Sequence, residues 1–262
     1  MVMKIIIVAF DALDYYYVKR YDIASLKQEI NGHIGLFGYR RGGGNPDYLT
    51  DEILASFITG TVPDVHGVKF PIDLKYSLKG KMKTIFDLCD SVAVDVPSWN
   101  RHPEHVKFQT RVGWFLGHEE HRTRIGMDSD EYWEKVMYER VNLEPDIYRH
   151  LDEQKKPRIM EALAQDAQLT MIYFWFSDIL GHVIKGGTRL ERIYNVADDV
   201  FQYIKLFGGE DTLYMLMSDH GMNHGIHDPD GAIWSLSKPL LRHDDIVEIE
   251  EWFPKIEEWL NV

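Results

Sequence analysis

The stretch Met215–Gly231, "MLMSDHGMNHGIHDPDG", places Asp219, His220, His224, His227, Asp228 and Asp230 in a glycine-rich loop directly after an apolar run. Asp178 and His182 lie four residues apart behind a second apolar run, "TMIYFWF", and so share one face of any helical turn that begins there. Asp11 ends a third run, "KIIIVAF". A strand-end Asp often only caps the next helix, and a lone His is more often structural than a ligand. Three Asp or Asp/His groups at three strand ends point instead to divalent metals. Carboxylate and imidazole donors without sulfur suit zinc, with manganese or iron as alternatives. The single cysteine, Cys89, excludes a thiolate cluster and reads as packing. Two close metals can clamp an in-line displacement at phosphorus. A nucleophile for that chemistry stands in "NPDYLTDEILASFITGTVPDVHG", where Thr50 falls in the first turn of an expected helix, beside amides that favour an anion. On this segment alone, Thr50 reads equally well as a helix-start residue.

These residues require a scaffold that brings several strand ends to one edge. Near-continuous apolar runs at 4–10, 33–39, 91–97, 170–176 and 212–218 read as buried strands. Helical patterns at 46–60, 81–90, 128–142, 156–168, 189–209 and 244–260 alternate with them. The alternation implies an α/β fold with a doubly wound, mostly parallel sheet flanked by helices, whose ligands sit beyond the carboxyl ends of the strands. The chain of 262 residues, 45% hydrophobic, is the size of one large domain. Residues from about 98 to 150 break the alternation and read as either a small cap over the site or an irregular excursion of the same domain.

The net charge of −13 disfavours nucleic acid polymers and anionic membranes as partners, since both need a basic field. No apolar run approaches the roughly 20 residues that cross a bilayer, and the start lacks a signal-peptide pattern, so a cytoplasmic location is expected. The sequence leaves the oligomeric state open.

The order Asp11, Thr50 with "ITGTVPDVHG" behind it, "SDILGH", "SDHGM" and His227 resembles the alkaline phosphatase superfamily, in particular its type I phosphodiesterase and nucleotide pyrophosphatase branch. The likeness spans residues 4–70 and 171–235, about half the chain. It implies an α/β sandwich and a Thr50 nucleophile, with Asp11, Asp219 and His220 joining Thr50 at one metal and Asp178, His182 and His227 holding the second. His224 competes with His227 for the last position; the glycine-flanked "GIHDPDG" favours His227. The implied activity is hydrolysis of a small-molecule phosphate ester, a diester above all, through a phosphothreonine. A phosphomonoesterase or phosphotransferase on the same site, or a metal-binding module without turnover, are the alternatives.

Two departures limit the likeness. The Asn that the branch places after "HG" is replaced by Lys69 and Phe70, leaving Lys69 or Asn100 for transition-state contact, and the chain lacks the branch's long insertions. The sulfatase motif is absent around Thr50. Arg40, Arg41, Lys69 and Arg101 are the cations a monoester would need, and Phe70, Trp99, Trp114 and Phe115 the aromatics a diester would use. His66 reads as structural, and Asp228 and Asp230 as turn formers.

Overall fold

In the computed structural model the described residues are 3–69, 76–100, 144–182 and 184–260. The expected helix at 128–142 and most of the segment read as a cap therefore lie outside them, as do Phe70, Arg101, Trp114 and Phe115.

Four runs of the expected kind form strands β1 (Ile5–Phe10), β3 (Ser91–Val94), β4 (Leu169–Phe174) and β5 (Leu213–Ser218), and β2 spans Ile30–Gly35. Every residue of β1, β4 and β5 is buried, as expected for central parallel strands covered on both faces. Beyond β5 come the hairpin β6 (Gly221–Asn223) and β7 (Ile226–Asp228), then β8 (Ile233–Leu236) and β9 (Ile246–Glu248). The main sheet has seven strands in the order β3-β4-β1-β5-β8-β2-β9. All neighbours pair in parallel except β8, which runs antiparallel to β5 and β2. The architecture is thus the α/β, mostly parallel sheet that the alternation implies.

The helices that matter here are α1 (Tyr15–Arg20), α2 (Thr50–Thr59), α3 (Lys156–Leu163), α4 (Phe176–Gly181), α5 (Gly187–Gly208) and α6 (Trp252–Leu260). α2 is buried along its length and stops at Gly60, whose φ of 65° is the left-handed conformation of a helix C-cap. The expected helix at 81–90 shrinks to one tight turn, Ile85–Asp87, closed by reciprocal Thr84 and Asp87 hydrogen bonds. β3 starts four residues after that turn and leaves no room for more. At the C-terminus, the β-branched Ile246 and Val247 pair with β2 as an edge strand before the helix begins, so the helical pattern from 244 starts late. β8 is only four residues long, too short for a period to show.

A buried charge cluster ties α3 to the sheet. Asp95 follows β3 with φ of 62° and pairs with Lys155 and Arg158; the Lys155 and Asp95 side chains are each 2% exposed. Burial pushes the Lys155 pKa well down, so a charged ammonium there depends on the Asp95 carboxylate opposite it. Asn tolerates positive φ, so Asp95→Asn removes the charge without adding backbone strain. That variant should lose about 3 kcal/mol of stability in urea unfolding, whereas a loss below about 1 kcal/mol would mean that Lys155 is neutral in the fold.

Candidate metal centre

The sheet delivers its chemistry at one edge because the parallel strands all end there. Asp11 is the first residue after β1, Asp219 and His220 the first two after β5, and Asp178 sits in the first turn of α4, just beyond β4. β1 lies between β4 and β5, so the three chain exits are adjacent. His182 follows α4 one turn after Asp178, and the β6–β7 hairpin carries His227 back over the site. Its tip, His224–Gly225, has φ of 52° and 84°, the paired positive values of a two-residue hairpin turn. His224 is thereby held out in solvent, and His227 faces Asp178.

Two overlapping groups result. Asp11 Oδ1 lies 3.3 Å from His220 Nε2, and Asp219 Oδ2 lies 3.4 Å from the same nitrogen. Thr50 Oγ1 donates to Asp11 Oδ1 at 3.2 Å. In the second group, Asp178 Oδ1 lies 3.1 Å from His182 Nε2 and 3.2 Å from His227 Nε2, and those two nitrogens are 3.1 Å apart. The His220 and His227 rings stack with centroids 3.9 Å apart and join the groups, so that His220 also falls within ligand reach of Asp178 and His227. All seven residues expected from the sequence therefore meet at one place.

The arrangement fits divalent cations for three reasons. Each histidine is anchored through Nδ1 by a backbone carbonyl: His182 to Gly225 at 2.8 Å, His220 to Gly221 at 3.0 Å and His227 to Asp47 at 2.8 Å. A ring that donates from Nδ1 turns the Nε2 lone pair inward, as metal-ligating histidines do. Asp219 Oδ2 and His220 Nε2 are buried without a hydrogen-bond partner, which no fold leaves without reason. Finally, Asp11, Asp178 and Asp219 are all at most 4% exposed, so a buried triple negative charge needs positive compensation.

The electrostatics agree. Burial, and then Asp219 and Asp178, push Asp11 well above the usual carboxylate range. Burial pulls His220 down, but Asp219 and Asp11 outweigh it and raise it to about 10. Burial also opposes charge on Asp178, yet His182 and His227 hold it well below its ordinary value. His227 is lowered by burial and by His220.

One supporting residue has no sequence signal. Tyr173, the penultimate residue of β4, donates its hydroxyl to Asp11 Oδ2 and leaves Oδ1 to Thr50 and His220. Asp14 likewise ties the site loop to α1: its carboxylate accepts from Tyr16 and Tyr17 at the helix start and from the Met222 amide.

Several expected contacts fall elsewhere. Lys69 pairs with Asp64, and the Asn100 side chain closes its own turn by bonding the Val96 amide and the Ala93 carbonyl. Trp99 stacks on Phe86, and Arg41 lies over Phe37. His66 accepts from the Val68 amide through Nδ1 and meets Ser56 Oγ through Nε2, and burial lowers its pKa to about 4, so it is a neutral structural histidine as read. Asp228 accepts from the Asp230 amide, the expected turn role.

No family model matches the sequence, and no curated protein matches it. Solved structures do. Alkaline phosphatase from the Antarctic bacterium TAB5 shares the fold with a TM-score of 0.52 at 13% identity, over 100% of this chain and 99% of that one. A Pyrococcus horikoshii protein matches at a TM-score of 0.49 and 13% identity, over 100% and 98%. Murine ectonucleotide pyrophosphatase/phosphodiesterase 5 matches at 0.45 and 11%, over 84% of this chain; the chain spans 57% of that relative's length. The fold is that of alkaline phosphatase.

Because His220 keeps its proton up to about pH 10, a cation entering at neutral pH must displace it. Calorimetric titration of zinc into chelator-treated protein, in buffers of different ionisation enthalpy, should show net proton release at pH 7 and an affinity that climbs with pH and flattens above about 10. A titration without proton release would contradict the arrangement. Tyr173→Phe should weaken zinc binding by about tenfold while leaving the fold intact by circular dichroism.

Proposed function

We infer that this chain is a metal-dependent phosphohydrolase that cleaves a small-molecule phosphate diester through a phosphothreonine at Thr50. The observation that carries the reading is the Thr50 hydroxyl, 3.2 Å from Asp11 Oδ1 at the start of a ten-residue helix, beside two carboxylate and imidazole groups. No side chain caps that helix, so its first amides and dipole favour the nonbridging oxygens of a phosphoryl group. The carboxylates of the first turn do not compete: Asp51 accepts from Ser98, and Glu52 from Tyr39 and the Asn45 amide.

Asp11, Thr50, Asp219 and His220 would hold one divalent cation, and Asp178, His182 and His227 the other. Bound there, the cations would acidify the threonine hydroxyl and stabilise charge on the phosphoryl oxygens. Zinc suits the donor set, with manganese or iron as alternatives.

Thr50 Oγ gives up its proton toward Asp11 Oδ1, the acceptor already in place. The Oγ–P bond forms as the ester P–O bond opposite it breaks, and the departing alkoxide takes a proton from solvent. Water then attacks the phosphothreonine, which still carries the second ester group, from the vacated side; this releases the phosphate monoester and restores the hydroxyl. Through both steps the Nδ1 anchors keep the three imidazoles oriented, so little reorganisation is required.

The surroundings favour a diester. A monoester brings a further negative charge, and among the described residues two of the candidate cations have other partners: Lys69 pairs with Asp64, and Arg41 lies over Phe37. The absence around Thr50 of the motif that sulfatases modify argues against sulfate esters.

Acid quenching of zinc-loaded protein during turnover of a nitrophenyl phosphodiester, followed by peptide mass spectrometry, should find on Thr50 a phosphoryl group that still carries the second ester group. Thr50→Ala should lose at least about a thousandfold in rate and keep its metals. Full activity in that variant, or phosphate on another residue, would overturn the assignment. Faster cleavage of a matched monoester would keep the nucleophile and replace the diester reading.

A further inference from the structure

A cavity of about 710 Å³, within the range of small-molecule sites, lies between α5 and residues 21–25, which follow α1. None of the seven residues of the metal centre lines it. At the Lys205 end it reaches the start of β5, where the hydroxyl of Tyr214, the second residue of that strand, donates to the Lys205 carbonyl at 3.1 Å. Asp219 and His220 stand past the other end of the same strand. The cavity is thus separate from the chemistry.

Its walls carry unmet hydrogen-bonding demand on both sides. Asn195, Asp198, Gln202 and Lys205 recur at spacings of three and four along α5 and so form one stripe of the lining. Gln202 donates to Asp198 Oδ2 at 2.6 Å, which fixes the carboxylate. Its other oxygen, Oδ1, and Ser25 Oγ on the second wall are both buried without a hydrogen-bond partner. Burial raises the Asp198 pKa, and the Gln202 hydrogen bond offsets that only in part. A ligand that donates to the carboxylate and exchanges a hydrogen bond with the serine hydroxyl satisfies both atoms. The charges select its kind. Asp22 pairs with Lys27, which leaves the Asp198 carboxylate and the Lys205 ammonium to offset each other. A cationic ligand would face Lys205 and an anionic one Asp198, whereas an uncharged ligand meets neither repulsion. Tyr21, stacked on Tyr17 with centroids 5.8 Å apart, adds a fixed aromatic ring to the wall.

We propose that this cavity is a binding site for an uncharged sugar, independent of the metal centre and of the phosphohydrolase reading. A ring hydroxyl donates to Asp198 Oδ1, neighbouring hydroxyls meet Ser25 Oγ and the Asn195 carboxamide, and the C–H face of the sugar lies against Tyr21.

Saturation-transfer NMR on the full chain tests this with glucose, galactose and mannose as neutral probes, beside glucosamine and glucuronate as charged comparators. At least one neutral sugar should give a saturable signal stronger than either comparator. Asp198→Asn, which removes the carboxylate charge, and Ser25→Ala should each weaken that sugar about tenfold at an unchanged melting temperature. Asn195→Ala, at an exposed position, should weaken it likewise and decides the matter if either of the others melts early. Inorganic phosphate should leave the signal unchanged; a signal that phosphate displaces would put the sugar at the metal centre and overturn the site. Silence from all three neutral sugars, a signal confined to the charged pair, or an affinity that the variants preserve would overturn it as well.

Discussion

Three carboxylates, Asp11, Asp178 and Asp219, are buried within one cluster, and the rest of the site is organised around their mutual repulsion. Such a concentration of charge away from water is unfavourable by many kcal/mol unless positive charge is brought to it. The three imidazoles answer that need only in part. They oppose one another as well: His182 and His227 point nitrogens at each other, and the charge of His220 lowers His227. A pair of divalent cations satisfies both demands at once. The orphaned atoms Asp219 Oδ2 and His220 Nε2 are where that positive charge is wanted.

The fold makes this repulsion tolerable. Asp11 and Asp219 leave neighbouring strands whose registers are fixed by six paired residues, and the Ala12 amide donates to Asp219 Oδ1 at 3.3 Å. The histidines are oriented from behind by carbonyls of Gly225, Gly221 and Asp47, which belong to the β6–β7 hairpin and the segment before α2. Folding thus prepares the ligand set, and the segment that delivers Thr50 also holds His227 in place. Thr50 and His227 are mechanically linked through Asp47.

The clustered Asp and His residues were legible as candidates because they stand at or just past the ends of apolar runs, where a parallel sheet gathers its exits. Thr50, even between two readings on its own segment, is singled out by the order of motifs. What supports the site was not legible. Carbonyl anchors carry no residue-type signal, and Tyr173 sits inside a strand that is apolar on both faces. β8 and β9 are too short to declare a period. Trp99 and Asn100 mislead for the opposite reason: their types suit a site, but their partners, Phe86 and the Val96 turn, are local packing.

The measurement closest to the central claim is anomalous diffraction at the zinc edge from crystals grown with zinc. The account requires two peaks, one bounded by Asp11, Asp219 and His220 and the other by Asp178, His182 and His227, with Thr50 Oγ turned toward the first. A single peak, or peaks away from these side chains, would contradict it.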